Sequence, residues 1–117
     1  MGKRIHNLDV RKEVNDKMNV EIRHLACYLT DKNDLYVLGA IIAKEGYKDK
    51  KGLDLVVKAD IVDKDENILF TLKTWSNILL DYSGYDGFEL RYCAIERVMD
   101  VSAIAGVRVY AVHKKSI

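Results

Sequence analysis

An alternation of apolar and polar residues with a period of two is the feature that most constrains how this chain can fold. In the segment LDLVVKADIV, at 53–62, every odd-numbered position is apolar, whereas Asp54, Lys58 and Asp60 occupy even-numbered positions. Only an extended strand places successive side chains on opposite faces. The pattern therefore predicts a β-strand with one buried face and one solvated face.

Five further segments carry the signature of strands. ILFTLKTW (68–75), FELRYCAI (88–95) and AGVRVYAVHK (105–114) alternate in the same way and are rich in β-branched and aromatic residues. LYVLGAIIA (35–43) is apolar on both faces, which is typical of a central strand. NVEIRHLACYLT (19–30) changes phase at His24, and a one-residue change of phase predicts a β-bulge.

Polar segments rich in Asp, Asn, Lys and Gly separate these strands, and their composition is typical of turns: DKND (31–34), KEGYKDKKG (44–52), DKDEN (63–67) and DYSGYDG (81–87). Regularly spaced strands joined in this way predict an all-β, antiparallel, immunoglobulin-like β-sandwich of six to eight strands, with a single domain over residues 18–117.

Two regions fit more than one structure. The N-terminal segment, residues 1–17, could form a flexible tail, a short helix or an extra strand. Residues 95–104 have apolar side chains at helical spacing, with Gly106 as a helix-ending residue. The alternative is a strand to about Met99, a turn at 100–102 and a final strand.

The composition and charge of the 117-residue chain restrict its possible functions. Hydrophobic residues make up 49%, enough for one core, and the charged residues nearly cancel to a net charge of +1. The lack of a basic excess argues against a nucleic-acid binder. No apolar run approaches the ~20 residues of a membrane-spanning helix. Because no export signal is visible, we expect a cytoplasmic protein, or an exported one if a leader has been removed.

The acidic segment DKDEN has oxygen-bearing side chains at alternate positions, as at the start of a calcium-binding loop. An EF-hand loop needs Gly at its sixth position and Glu at its twelfth. Counting from Asp63, those positions are Ile68 and Thr74, and Ile68 already begins a strand. We therefore predict a hairpin turn whose Asp and Asn side chains bind local backbone amides.

Metal binding and catalysis have little support in the sequence. Cys27 and Cys93 belong to no CxxC motif and the three histidines are widely separated, so we expect no cofactor, no metal site and free thiols. The sequence contains no GxSxG, P-loop or HExxH motif. We predict that the chain is not an enzyme; a catalytic alternative would rest on Cys93 beside His24 or His113.

The segment DYSGYDGFE (81–89) is a candidate recognition loop. Its two glycines provide freedom of the backbone, and Tyr82, Tyr85 and Phe88 provide aromatic contact area. The alternative is a crossover between sheets whose aromatic side chains cap the core.

A second candidate contact surface is the polar face of the last strands. Trp75 falls on the nominally polar face of its strand, and Tyr110 lies on that of the final strand with Arg108 and His113. Adjacent in the fold, these residues would form an interface patch. Alternatively, Trp75 packs under residues 77–80 or under the N-terminal segment.

The segments LVVKADIVDKDENILF, GFEL and VSAIAGVRVYAV together resemble bacterial immunoglobulin-like modules of the FxLYD type, over about residues 53–112. The shared features are an alternating strand, an acidic turn, a second strand, a Gly-containing crossover and a final strand ending in an aromatic residue. The resemblance implies a non-catalytic and usually exported module. The FxLYD string itself is absent, so the resemblance assigns no functional residue.

Together these features predict a non-catalytic binding or assembly module that contacts a protein partner or a second copy of itself. Its expected contact residues are Trp75, Tyr82, Tyr85, Phe88 and Tyr110. The alternative is a protein that binds a small ligand or a divalent cation with its acidic loops.

Overall fold

Strands dominate the computed structural model, which describes residues 3–17, 20–43, 53–74, 78–80, 85–92 and 101–113. One short helix, α1 (Lys12–Lys17), follows the first two strands. The strands are β1 (Lys3–Arg4), β2 (Leu8–Val10), β3 (Val20–Leu29), β4 (Leu35–Ala43), β5 (Leu53–Val62), β6 (Ile68–Lys73), β7 (Ile78–Leu80), β8 (Tyr85–Tyr92) and β9 (Gly106–His113).

The strands form two sheets that enclose one core. Sheet A has the order β1-β3-β4-β8, and sheet B has the order β2-β9-β5-β6, with β7 also paired to β5. Each long strand turns alternate apolar side chains inward. The fully buried members of the resulting cluster come from both sheets: Val20, Cys27, Leu35, Val37, Ile41, Leu55, Val57, Ala59, Ile61, Leu90, Val107, Val109 and Ala111.

The all-β sandwich predicted from the alternation is confirmed, with two differences. The described residues contain nine strands rather than six to eight. Three of the nine, β1, β2 and β7, have only two or three residues each. The sandwich is also not wholly antiparallel, since β2 pairs with β9 in parallel. Short strands of this kind leave too few residues for an alternation to be recognised.

The N-terminal segment contributes to both sheets. Strand β1 pairs with the end of β3, and β2 pairs with β9 in the other sheet. Ile5, between them, is 6% exposed and joins the core. Beyond β2, the Oδ1 atom of Asn15 in α1 accepts a 2.9 Å hydrogen bond from the backbone amide of Ala111. The segment therefore covers one edge of β9, first with a strand and then with a side chain.

The predicted β-bulge in β3 is confirmed. The register between β3 and β4 shifts between Arg23 and Ala26, and His24 has a φ of 59°. Before the bulge, Val20 and Ile22 point into the core, and after it Cys27 and Leu29 do. The extra residue keeps both halves of the strand facing the same core.

The acidic turn DKDEN is also confirmed. Oδ1 of Asp63 accepts hydrogen bonds from the backbone amides of Asp65 (2.8 Å) and Asn67 (2.9 Å), and Oδ2 accepts one from Asn67 Nδ2 (3.2 Å). Both oxygens thus bind the turn itself. Before the final strand, a short 3-10 turn spans Val101–Ala103, while residues 93–100 lie outside the described part.

The inner face of sheet A depends on a close pairing of Gly39 with Phe88. The two residues are register partners in β4 and β8. A Cβ atom at Gly39 would lie 2.5 Å from Cζ of Phe88, so the ring occupies the space that a side chain would need. The Phe88 side chain is consequently 7% exposed and belongs to the core. No helix in the described part is long and apolar enough to cross a membrane.

Candidate functional site

The outer face of sheet A carries a row of four side chains, one from each strand. Arg4 of β1 pairs with Tyr28 of β3, Tyr28 pairs with Tyr36 of β4, and Tyr36 pairs with Arg91 of β8. Directly opposite residues on neighbouring strands have Cβ atoms roughly 5 Å apart. The register therefore sets two tyrosines side by side between two arginines, and we call these four residues the tyrosine row.

Each tyrosine ring in the row lies under an arginine. The guanidinium carbon of Arg4 is 5.7 Å from the ring centroid of Tyr28, and that of Arg91 is 5.1 Å from the centroid of Tyr36. These distances are within the range of cation–π attraction. Arg91 also forms a 3.6 Å ion pair with Asp34 in the turn between β3 and β4. The contacts restrain the rings and the cations together.

Apolar side chains continue the exposed face along β4. Leu38 and Ile42 lie next to the buried residues Val37 and Ile41 in the strand and therefore point away from the core. Both are partly exposed, and Tyr28 is 40% exposed. The face thus combines an apolar centre with aromatic and arginine side chains at one end, where the row lies.

Charged residues of both signs border the opposite end of this face. Glu21 of β3 is the register partner of Ile42, and it accepts a 2.9 Å hydrogen bond from Arg23 two residues along the strand. The hydrogen bond to Glu21 is the main cause that raises the pKa of Arg23. The face therefore has two arginines at the tyrosine row, one of them paired with Asp34, and the pair of Glu21 with Arg23 at its other end.

The outer face of sheet B contains a second polar cluster, centred on Asp60 of β5. Asp60 is 4% exposed, and its carboxylate is surrounded by donors. Oδ2 binds Nε and Nη2 of Arg11 at 3.0 and 2.9 Å, while Oδ1 accepts hydrogen bonds from Thr71 Oγ1 (2.7 Å) and the Tyr110 hydroxyl (3.1 Å). A buried carboxylate is tolerated when it is paired and hydrogen-bonded in this way.

Of the two cysteines, Cys27 lies among the described residues, whereas Cys93, on which the catalytic alternative rests, lies outside them. Burial raises the pKa of the Cys27 thiol to about 12, and its side chain is fully enclosed. A thiol of this kind is a poor nucleophile at neutral pH, because the thiolate is the reactive form. Among the residues described, no three His, Cys, Asp or Glu side chains are grouped so as to hold a metal ion.

The residues predicted for contact are placed differently by the structure. Trp75 and Tyr82 lie outside the described residues, as does the side chain of Tyr85, whose backbone pairs with Ile42. Phe88 is not available for contact: it lies in β8, within the predicted strand 88–95, and its ring is buried beside Gly39, in agreement with the alternative that aromatic side chains of this segment cover the core. Tyr110 does lie on the outer face of sheet B, where its hydroxyl binds Asp60.

The tyrosine row was missed by reasoning from the sequence, although two signals for it exist. Tyr28 and Tyr36 flank the turn DKND at nearly equal distances, and a hairpin register brings such positions together. In addition, β4 is apolar on both faces. In a sandwich of two sheets only one face of a strand can point to the core, so the other apolar face must lie outside.

Comparison of the chain with protein-family models, with curated proteins and with solved structures found no match.

Proposed function

We propose that this chain is a non-catalytic, immunoglobulin-like assembly module that binds a second copy of itself through the outer face of sheet A. The observation that carries the proposal is the tyrosine row beside an exposed apolar column. Tyrosine and arginine are the residue types enriched in protein interfaces and in their energetic hot spots.

The geometry of the row favours binding because its groups are already ordered. Tyr28 and Tyr36 stand on adjacent strands of a sheet, and each ring is restrained by a stacked arginine. Rigid aromatic groups lose little conformational entropy when they are buried by a partner. Leu38 and Ile42 add apolar area next to them.

The distribution of charge favours one way of pairing two copies. If the strands of two stacked sheets ran parallel, the arginine ends of both tyrosine rows would meet and repel. With antiparallel strands and a two-fold axis, Arg4 of each copy would approach Glu21 of the other, and Tyr36 would approach Ile42. In a two-fold contact each such pairing occurs twice. The antiparallel arrangement therefore gains two attractive contacts between Arg4 and Glu21.

Light scattering during size-exclusion chromatography tests self-association. We expect a dimer for the wild-type chain and a monomer for Y36E, because that change sets a carboxylate against the apolar side chain of Ile42 of the other copy. The control is D65K, a change of charge at the exposed turn of sheet B. A wild-type chain that remains monomeric at high concentration would overturn the proposed partner.

A charge exchange tests the orientation. R4E and E21R should each dimerise weakly alone, since each would set like charges against each other at both contacts. Mixed together they should form a heterodimer, because both contacts then join opposite charges. The lost internal pair between Glu21 and Arg23 is exposed and of small value. Equal association of the mixture and of the separate variants would contradict the antiparallel arrangement.

A binding role for this face without self-association would give a different result. A photo-reactive amino acid at Tyr36 would then cross-link a different protein in the native cell, while the same group at Asp65 would not. No adduct of any kind at Tyr36 would remove the binding role altogether.

A further inference from the structure

Two lysines lie directly opposite each other on the outer face of sheet B. The register pairs Lys58 of β5 with Lys73 of β6, and on the other side it pairs Lys58 with Tyr110 of β9. Lys58 is partly buried and Lys73 is exposed. This surface belongs to the sheet opposite the tyrosine row, so a function of the lysines would be independent of the proposed assembly.

The arrangement of the two lysines is unfavourable by itself. Like charges directly opposite each other on neighbouring strands destabilise a sheet. Part of the Lys58 side chain is also withdrawn from water, which weakens the solvation that would otherwise screen the repulsion. Within the described part of the chain, neither Lys58 nor Lys73 forms a hydrogen bond or an ion pair through its side chain.

The carboxylate of Asp60, two residues from Lys58 on the same face, does not neutralise the pair. Its Oδ2 atom is held by Arg11, and its Oδ1 atom is held by Thr71 and Tyr110. Four donor contacts use the lone-pair positions that a carboxylate offers. The charge of Asp60 is therefore already matched by the guanidinium of Arg11.

The other cations near this face are balanced by acids. A groove of about 630 Å³ lies beside α1 and the start of β9. Besides Arg11, whose charge is matched by Asp60, its charged lining residues comprise two cations and three acids: Lys12, Arg108, Asp9, Glu13 and Glu66. Arg108 is paired there with Glu66. Among the described residues of this face, the unbalanced positive charge is thus concentrated on Lys58 and Lys73.

We propose that Lys58 and Lys73 form a binding site for a phosphate group, either inorganic phosphate or the phosphate of a small monoester. Two flexible side chains from a cross-strand pair can direct their ammonium groups at one compact anion. Phosphate presents several acceptor oxygens and forms strong charge-assisted hydrogen bonds with ammonium donors. A phosphate bound between the two lysines attracts both ammonium groups and so offsets the repulsion between them.

Tyr110 forms one wall of this site. Its hydroxyl donates to Asp60 and its ring centroid lies 5.9 Å from the guanidinium carbon of Arg11. The ring is therefore held in place beside Lys58 from two sides. Its role is to position the lysine stem, and it makes no direct contribution of charge to the anion.

Thermal unfolding tests the site. A ligand specific for the folded state raises the melting temperature, so sodium phosphate should raise the Tm of the wild-type chain above that in sodium chloride of equal ionic strength. K58Q and K73Q should lose this increment, whereas K73R and the control K64Q, at the exposed turn, should keep it. Titration by NMR should show binding weakened roughly tenfold to a hundredfold in K73Q, the loss expected for one charge-assisted hydrogen bond.

In the absence of phosphate, the loss of a lysine should have a different effect on stability. Because removing one lysine relieves the repulsion, K73Q should be at least as stable as the wild-type chain in chloride, while K64Q should be unchanged. Glycerol 2-phosphate in place of inorganic phosphate distinguishes the two sources: a larger Tm increment identifies a monoester, and a smaller one identifies free phosphate. The proposal is overturned if the phosphate increment is absent, or equal in K64Q, K58Q and K73Q.

Discussion

The hydroxyl of Tyr110 donates a 3.1 Å hydrogen bond to Oδ1 of the buried Asp60, across the pairing of β9 with β5. Burial is the main cause that raises the pKa of Tyr110 from 10.0 to about 12, and the charge and hydrogen bond of Asp60 add to it. Folding therefore favours the protonated hydroxyl.

Stability at alkaline pH should depend on this tyrosine. The stability that the raised pKa contributes is fully present below the unfolded-state pKa of 10.0, and it is lost as the pH rises to about 12. Urea unfolding measured across that window should show a steeper loss of unfolding free energy for wild type than for Y110F. At neutral pH, Y110F should be about 1 kcal/mol less stable, the usual net value of one hydrogen bond. Identical alkaline slopes for the two proteins would contradict the assignment.

Alanine at Gly39 should destabilise the sandwich. The new Cβ atom would lie 2.5–2.9 Å from three atoms of the Phe88 ring, and the ring is enclosed by the core. We expect G39A to lower the unfolding free energy by about 1–3 kcal/mol, the usual cost of overpacking. Urea unfolding of the variant and of the wild-type chain measures the difference.

Two further variants isolate the contact between Gly39 and Phe88. G87A is the matched control, because its new Cβ atom would approach the Gly39 carbonyl oxygen only to 3.8 Å, an ordinary van der Waals distance. F88L in the G39A background should recover part of the loss if the steric overlap is its cause. Fully additive effects of G39A and F88L would argue against direct overlap.

We expect Asn15 to stabilise the fold through its hydrogen bond to the edge of β9. In N15A the buried amide of Ala111 loses the acceptor that it now has at 2.9 Å. Leaving such a group unsatisfied costs about 1–3 kcal/mol. The loss is partly offset because N15A also removes the buried Nδ2, which has no hydrogen-bond partner among the described residues. Hydrogen exchange of the Ala111 amide should accelerate in N15A and remain slow in the control E13A, at an exposed position of α1.

The turn after β5 should respond to acid through Asp63. The hydrogen bond from the Asn67 amide is the main cause that lowers the pKa of Asp63 below its ordinary value of 3.8. A lowered pKa contributes stability above the unfolded value, and this is lost as the pH falls through the folded pKa. An NMR titration should place the carboxyl of Asp63 below 3.8. D63A should be less stable than D63N, which keeps an acceptor oxygen for the turn amides.

Local patterns in the sequence were sufficient to predict much of this fold. The strands 35–43, 53–62 and 68–73, the bulge at His24 and the turn at Asp63 follow from residues that are neighbours in the chain. Period-two alternation reports which side of a strand faces the core, and a change of phase reports an inserted residue. Such signals need no knowledge of distant contacts.

The tertiary structure alone decided which residues share a surface. The Asp60 cluster joins Arg11, Thr71 and Tyr110 from separate parts of the chain, and the tyrosine row joins four strands. Strand order and register determine which of these residues come into contact, and both depend on the packing of the whole core. No short stretch of sequence encodes that choice, because each strand's own pattern is compatible with several neighbours.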